Sequence, residues 1–489
     1  MKRTAWRLLA SASTLLVPLC GTGPLAAQTR PHYGGTLRVE MRAQVRTLDP
    51  ADVAATPEEA LARDKLGSLV FDSLVRTDEA GRPQPNLAIS WQHDADWMHW
   101  QFRLRVGVRF HDGSPMTPSA VAMSLQESRS GWRASVFGET LIIQADVPLP
   151  GLLQDLAGAR GRVVRRDADG SLVGTGPFRI DQWEAGVRGV FIANEDYWAG
   201  RPYLDGVEVQ MGRPVREQAI DLQLGKADIV ELMLDQLRHF TQAGVRTWAS
   251  PPVEWIALTV ALDDSRSVDT MRALAGAISL AIDRATIHNV LLQRQGEPAG
   301  GLLPQWLSGY AFLFPVAVDV ERARQLVANA PPAPGVTRSR AAVTLLLAYD
   351  ASDALARAVA ERIAVNAHDA GINLQTSARE GPALTAAPLR LVRVRIRSDR
   401  PRAALAQLGV ALGIDELAHL PNPAVAEELY DVEKAAVESR RVIPLFHLPE
   451  FVGLGPRLRN WRMDSAAAVT GNWRWEELWL APVPAEERP

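Results

Sequence analysis

Val173-Gly174-Thr175-Gly176-Pro177-Phe178-Arg179-Ile180-Asp181-Gln182-Trp183-Glu184-Ala185-Gly186 packs three glycines, a proline and a tryptophan into fourteen residues. Two glycines around a hydroxyl residue serve either a loop that cradles phosphate or a rigid corner leading into a strand. A Walker-type loop needs a lysine and then Ser or Thr after its glycines, to neutralise phosphate and hold magnesium. Here Pro177 and Phe178 follow Gly176, and proline lacks the N–H that such a cradle uses. The corner fits better. Glycine reaches backbone angles closed to other residues, and proline fixes φ at the exit. Phe178-Arg179-Ile180 then continues as a strand, with Trp183 packing near its end.

Outward from that corner, the chain has 489 residues, enough for about two to four domains. It is 47% hydrophobic and 22% charged, which supports a sizeable core and argues against gross disorder. The net charge of −3 lacks the basic footprint of a nucleic-acid binder. Lys2, Arg3 and Arg7 precede a mostly apolar run, Leu8 to Leu19, and then the small residues of Leu25-Ala26-Ala27. This reads as a cleaved signal peptide over residues 1–27, too short to span a bilayer. Its loss removes three positive charges and takes the formal charge from −3 to −6. The only cysteine, Cys20, lies inside it after Leu19, a poor context for a lipoprotein. Cleavage after Ala27 leaves no thiol for a disulfide, a nucleophile or a metal site.

Strand-like alternation marks Leu37, Val39 and Met41, and a helix is expected over Pro57–Leu74. A hairpin is expected over Trp97–Phe110, and a helix capped by Thr117 with Pro118 at its first position. Val268 to Gln295 reads as one long helical segment, Val343 to Tyr349 as a strand, and Ser352 to Ala370 as a helix with Ser352 as N-cap and Gly371 as its end. Strands and helices alternate through both halves, which predicts a mixed α/β architecture with more than one sheet.

Catalytic signals are weak. His93, His99 and His111, with Asp94, Asp96 and Asp112 nearby, match neither a two-histidine helix motif nor a zinc finger. His419 and His447 stand alone. There is no Gly-x-Ser-x-Gly elbow. Glu58-Glu59 and Asp263-Asp264 suit a helix start and a turn. No enzyme activity, cofactor or metal site is expected.

The chain resembles the family 5 extracellular solute-binding proteins, the peptide- and nickel-type components of ABC importers. The resembling segments follow family order: Gly34-Gly35-Thr36-Leu37, Thr47-Leu48-Asp49-Pro50, Leu74-Val75-Arg76, Leu87-Ala88-Ile89-Ser90-Trp91 and Phe102 to Gly113. Gly174-Thr175-Gly176-Pro177 with Trp183 comes next as a structural signature, then Asn194-Glu195-Asp196-Tyr197-Trp198, Ala281-Ile282-Asp283-Arg284, Gly301-Leu302-Leu303-Pro304 and Ile443 to His447.

The resemblance implies the two-lobe periplasmic-binding-protein type II fold, with an extra subdomain in the first lobe and a ligand cleft between lobes. Residues 28–49, 171–258 and 453–489 would form the core of lobe 1, residues 50–170 its accessory subdomain, and residues 259–452 lobe 2. The crossings are expected near Trp255–Asp263 and Leu448–Gly455. The implied partners are a peptide or small-molecule ligand and an ABC permease in the cytoplasmic membrane, with no nucleic acid. The protein would act as a monomer in the periplasm or its extracytoplasmic equivalent. Family position implies cleft contacts from Ala54, Thr56, Glu58, Arg129, Trp132 and Arg133.

Three departures from the family stand out. Val260-Ala261-Leu262 replaces a Phe-Asn-Thr-like triplet. An acidic, aromatic segment of lobe 2 reads Arg397-Ser398-Asp399-Arg400-Pro401-Arg402, so that Asp399 sits among arginines. The region from about Arg379 to Val425 is shortened. Two readings of the arginines follow. In one, Arg400 or a neighbour receives an anionic or carboxylate-bearing ligand through bidentate bonds. In the other, Arg393, Arg395 and Arg397 alternate outward on an exposed strand. The departures also leave room for a degenerate relative that serves as a sensor or interaction module without transport.

Overall fold

Gly34 and Gly35, at φ +116° and +87°, turn the chain into its first strand, Thr36–Glu40. In the computed structural model, residues 30–78, 81–127, 131–262, 268–331, 343–420, 425–462 and 465–482 are described. The expected leader and Arg129 lie outside them. In the first strand Leu37 and Val39 point into the core while Thr36 stays exposed, so period-two alternation sets the register. The strand pairs in parallel with Gly206–Gln210, which in turn carries the hairpin Phe178–Glu184/Arg188–Ala193. Phe178, Phe191, Val207 and the C-terminal Trp475 fill this core.

Helix Pro57–Val70 covers that layer. Thr56 caps it by accepting the Glu59 N–H, and the helix stops four residues before Leu74 because Phe71 turns extended. Next comes the accessory subdomain. Its antiparallel sheet has the spatial order Ala88–His93, His99–Leu104, Thr140–Gln144, Arg133–Phe137. Trp100, Phe102, Leu141 and Ile143 close over helix Pro118–Glu127, whose N-terminus Thr117 caps as expected.

Two long strands, Arg246–Val260 and Val442–Leu454, tie the lobes together as neighbours in one eleven-stranded sheet. Their pairing runs Arg246↔Leu454 to Ala249↔Phe451 on the lobe 1 side, and Glu254↔Leu448 to Thr259↔Val442 on the other. Between these halves the register slips at Pro252, opposite Pro449. Proline cannot donate to the ladder, so three prolines (Pro251, Pro252 and Pro449) interrupt it there. Lobe 2 extends the sheet through Leu389–Arg395, Val343–Asp350 and Ile372–Arg379.

The expected mixed α/β, two-lobe architecture is therefore present, with local differences. The hairpin expected over Trp97–Phe110 is instead formed by His99–Leu104 with the preceding strand Ala88–His93, because the turn falls at Asp94–Met98, where Asp94 accepts the Met98 N–H. The segment expected as one helix from Val268 is two, Val268–Ala281 and Arg284–Val290. Asp283 caps the second by accepting the Thr286 N–H, and Arg284 turns inward to donate to the Pro444 carbonyl. A buried guanidinium needs such acceptors, and reaching them breaks the helix. The N-cap of helix Ala354–Asp369 is Asp353, not Ser352, because the carboxylate accepts from both Leu355 and Ala356. Gly371 does leave the helix at φ +82°.

Candidate functional site

The Gly174-Thr175-Gly176-Pro177 corner is built by close approach. Neither glycine has positive φ. A Cβ on either would strike the Val70 backbone at the end of helix Pro57–Val70. The Gly176 N–H donates to the Val70 carbonyl at 2.9 Å, and His111 holds the Gly176 carbonyl through Nε2 at 3.0 Å. Glycine is thus required here for space and not for φ, which corrects the reason inferred from sequence. Trp183 packs edge-on against Phe191 and donates to the Arg46 carbonyl at 3.3 Å.

Just past the helix, buried Asp72 gathers three signature side chains. Thr175 donates to Oδ2 at 3.0 Å, Trp198 Nε1 to Oδ2 at 2.8 Å, and the Tyr197 hydroxyl to Oδ1 at 2.9 Å. Burial raises the Asp72 pKa to about 6, against the pull of these donors. A depression of about 120 Å³ adjoins this cluster, lined by Arg76, Trp198, Trp473 and Glu476 and lying wholly within lobe 1. Burial also lifts Glu476 to about 7. The Asp72 cluster joins the helix, the glycine corner and the Asn194–Trp198 segment.

The seam between lobes is a different place, and charge governs it. Arg395, ending strand Leu389–Arg395 of lobe 2, pairs with Glu450 on the return crossing strand. Glu450 also faces Lys65 of the lobe 1 helix at 3.7 Å, and Arg395 Nη2 donates to the Ala468 carbonyl at 2.9 Å. Burial opposes charge on Glu450, yet Arg395 and then Lys65 hold its pKa down at about 2. Arg393 pairs with Glu254 and with Asp353, the latter at 3.1 Å. Arg400 pairs with Asp155 of the subdomain. Lys65 stacks over Trp473, which meets Trp461 edge-on at 4.9 Å, and Trp461 meets Trp248 at 6.1 Å. Among the described residues, the buried indole N–H groups of Trp461 and Trp473 and the Nε of Arg395 find no acceptor.

Of the arginines read as alternating outward, Arg393 and Arg397 are exposed, while Arg395 is turned inward. The Arg395 side chain is only 11% exposed, and Arg393, Arg395 and Arg400 each have a carboxylate partner. Asp399 is half-buried and engaged. Of the other expected contacts, Ala54 is half-buried, while Thr56 and Glu58 are exposed at the start of the helix. Thr56 caps it about 13 Å along the axis from Lys65. Trp132 is 7% exposed and packs in the subdomain's own core, where an indole removes more area from water than at a loop surface. Arg133 pairs with Asp146 on the open surface at 2.7 Å. These residues do not converge with the seam.

His93 stacks on Trp97, His99 pairs with Asp94, and His111 belongs to the glycine corner. Buried His447 bonds the Leu302 carbonyl at 2.9 Å, and burial takes its pKa down to about 4. Among the described residues no group of three or more His, Cys, Asp or Glu is placed to hold a metal ion.

Asp72, Lys65, Glu450 and Asp155 were missed by sequence reasoning. Three of them carry a signal, since Asp72 interrupts Leu69-Val70-Phe71, Lys65 shares a face with Leu61 and Leu69, and Glu450 interrupts an apolar strand. Asp155 carries none.

A model of the bacterial extracellular solute-binding proteins, family 5 middle region, matches residues 82–132 and 146–394. The nickel-binding periplasmic protein of Escherichia coli K12 is 25% identical over 362 residues, covering 66% of this chain and 68% of that protein. The probable D,D-dipeptide-binding periplasmic protein DdpA of the same strain is 25% identical over 331 residues, covering 62% and 64% respectively. NikA from Brucella suis, solved with Fe(III)-EDTA, superposes with TM-score 0.76 at 21% identity, covering 91% of this chain and 100% of that one. AppA from Bacillus subtilis, solved with a nonapeptide, gives 0.67 at 15% identity, covering 93% and 100%.

Proposed function

Because the chain belongs to the bacterial extracellular solute-binding proteins of family 5, we propose that it is the extracytoplasmic solute-binding component of an ABC importer. It holds an oligopeptide or related small solute between its lobes and passes it to a membrane permease. It works as a monomer and alters no covalent bond. Solute shifts an open–closed equilibrium, and the closed form is what the permease recognises. The observation that carries this reading is the paired crossing strands, whose ladder is interrupted at Pro252 and Pro449 between a core around Phe191 in lobe 1 and one around Leu345 in lobe 2, with a further apolar cluster joining Leu405 to Ala468 beside them. Such a break absorbs rotation of one lobe against the other.

The solute carries a carboxylate or another anionic group. Lobe 2 presents Arg395 and Arg400 to the seam, and the N–H groups of Trp461, Trp473 and Arg395 that lack an acceptor among the described residues lie there as well. A guanidinium takes a carboxylate bidentately, and exclusion of water strengthens the bond. The relatives named for nickel and for a D,D-dipeptide fit a family whose members differ in cargo within one frame. A second reading, a relative that senses or docks without transport, is favoured by the basic Arg397–Arg402 segment.

Mass spectrometry of small molecules released from protein purified out of its native host tests the proposal. Thermal shifts with short peptides, their C-terminal amides and small carboxylic acids complete the test. Expected are a co-purified solute, or a melting shift that C-terminal amidation abolishes. No released solute and no shift across the panel refutes solute binding and leaves the second reading.

A further inference from the structure

Arg400 occupies an unfavourable position for a cation. It is the N-cap of helix Pro401–Leu412, where the helix dipole presents its positive end, and Arg402 follows in the first turn. Its counter-charge comes from the other lobe. The guanidinium reaches across the seam to the Asp155 carboxylate, and Nη1 lies 3.4 Å from the Gly151 carbonyl. Both acceptors belong to the subdomain, 245 and 249 residues away in sequence. Leu152 and Leu156 anchor that short segment in the subdomain core, whereas Leu405 and Leu408 anchor the arginine's helix in lobe 2.

Gly151 lies beside the same guanidinium. Its φ is −98°, open to any residue, so backbone conformation does not demand glycine. A Cβ there would meet only the tip of the Arg400 side chain, which can shift aside. A carboxylate on the lobe 1 helix, Asp64, is answered within lobe 1, by Arg162 at 3.3 Å.

We propose that Asp155 is a resident carboxylate that latches the lobes through Arg400, beside the Arg395–Ala468 and Lys65–Glu450 contacts, so that the protein closes without solute and opens more readily when that pair breaks. The inference rests on the solute-binding reading only in that the latched motion is the one that admits solute. A carboxylate-bearing solute then meets an arginine that is already occupied, and entry exchanges one carboxylate for another.

The test measures closure without any solute. In a Cys20→Ser background, the exposed Val147 of the subdomain and Val410 of lobe 2 are changed to cysteine and spin-labelled. Pulsed electron–electron distances are then recorded on protein stripped of small molecules by unfolding, dialysis and refolding. The latch predicts one predominantly short distance. Asp155→Asn removes the charge on one side of the pair, and Arg400→Gln removes it on the other. Each is expected to lower the closed-to-open ratio about tenfold, the factor that one charge-assisted pair carries. Asp146→Asn, which breaks the exposed pair with Arg133, leaves the distribution unchanged.

A predominantly long distance in the stripped parent overturns the proposal. So does an unchanged distribution in Asp155→Asn, and so does opening in Asp155→Asn with none in Arg400→Gln, which removes Arg400 as the closing group. None of these results depends on whether a solute is found, so failure of the latch and failure of solute binding are read separately.

Discussion

Replacing Asp72 separates the hydrogen-bonding role of the signature cluster from its charge. In Asp72→Ala, three buried donors (the Thr175 hydroxyl, the Tyr197 hydroxyl and the Trp198 indole) lose their acceptor. The indole has one direction and cannot re-aim, whereas the hydroxyls rotate. At about 2 kcal/mol for the indole and about 1 for each hydroxyl, the variant should lose about 4 kcal/mol at pH 7. Asp72→Asn keeps an oxygen for Thr175 and Trp198 and turns its NH₂ toward Tyr197, whose hydroxyl can accept. It should fall within about 1 kcal/mol of the parent at pH 7.

The charge shows in the pH dependence. Asp72 titrates near 6 in the folded protein against an ordinary 3.8. Between those values the folded state binds the proton that the unfolded chain has released. Acidification from pH 6 to 4 therefore stabilises the parent through this group by up to roughly 3 kcal/mol, with no further change above pH 6. Asn has nothing to titrate. The parent's advantage over Asp72→Asn should thus widen as pH falls from 7 to 4.5. Urea unfolding followed by tryptophan fluorescence at several pH values gives these differences. Equal losses for Asn and Ala at pH 7, or a parent–Asn gap that stays constant with pH, would refute the assignment.

Three further variants test other parts of the frame. Gly176→Ala drives a Cβ into the Val70 backbone, which cannot yield as a side-chain tip can; it should cost about 3 kcal/mol or more, against about 1 for Gly170→Ala, which has positive φ but open space. Glu433 accepts the N–H groups of Leu302 and Leu303 and the Tyr310 hydroxyl, and burial raises its pKa to about 7. Glu433→Gln should therefore be nearly neutral in thermal unfolding at pH 7, while Glu433→Ala loses about 3 kcal/mol. Glu450, held near 2 against an ordinary 4.5, adds roughly 3 kcal/mol that is present above pH 4.5 and lost as pH falls toward 2. Glu450→Gln should lose that amount at pH 7 in urea unfolding, and the gap to the parent should close below pH 4.

Several features were legible because local rules determine them. Thr117 with Pro118, the alternation through Trp100 and Phe102, and the helix end at Gly371 depend on neighbours in the chain, and the structure shows each. The break at Asp283 and the choice of Asp353 over Ser352 were not legible, because distant or competing acceptors decided them. Trp132, expected as a cleft contact, packs in the subdomain core, which forms only when that sheet folds. The arginine-rich stretch looked like an exposed strand because its carboxylates come from residues 155, 254, 353 and 450.

By itself the sequence determined that Gly174-Thr175-Gly176-Pro177 is a corner and not a phosphate loop, since proline's missing N–H is a property of one residue. It also determined the alternation of strands and helices, since side-chain periodicity is local. Only the tertiary structure decided that the corner's glycines are needed for the nearness of Val70, that Asp72 gathers Thr175, Tyr197 and Trp198, and that Asp155 answers Arg400. Those pairings join residues up to hundreds of positions apart. A charge selects its partner by distance in space, which the chain acquires only when its two lobes have formed.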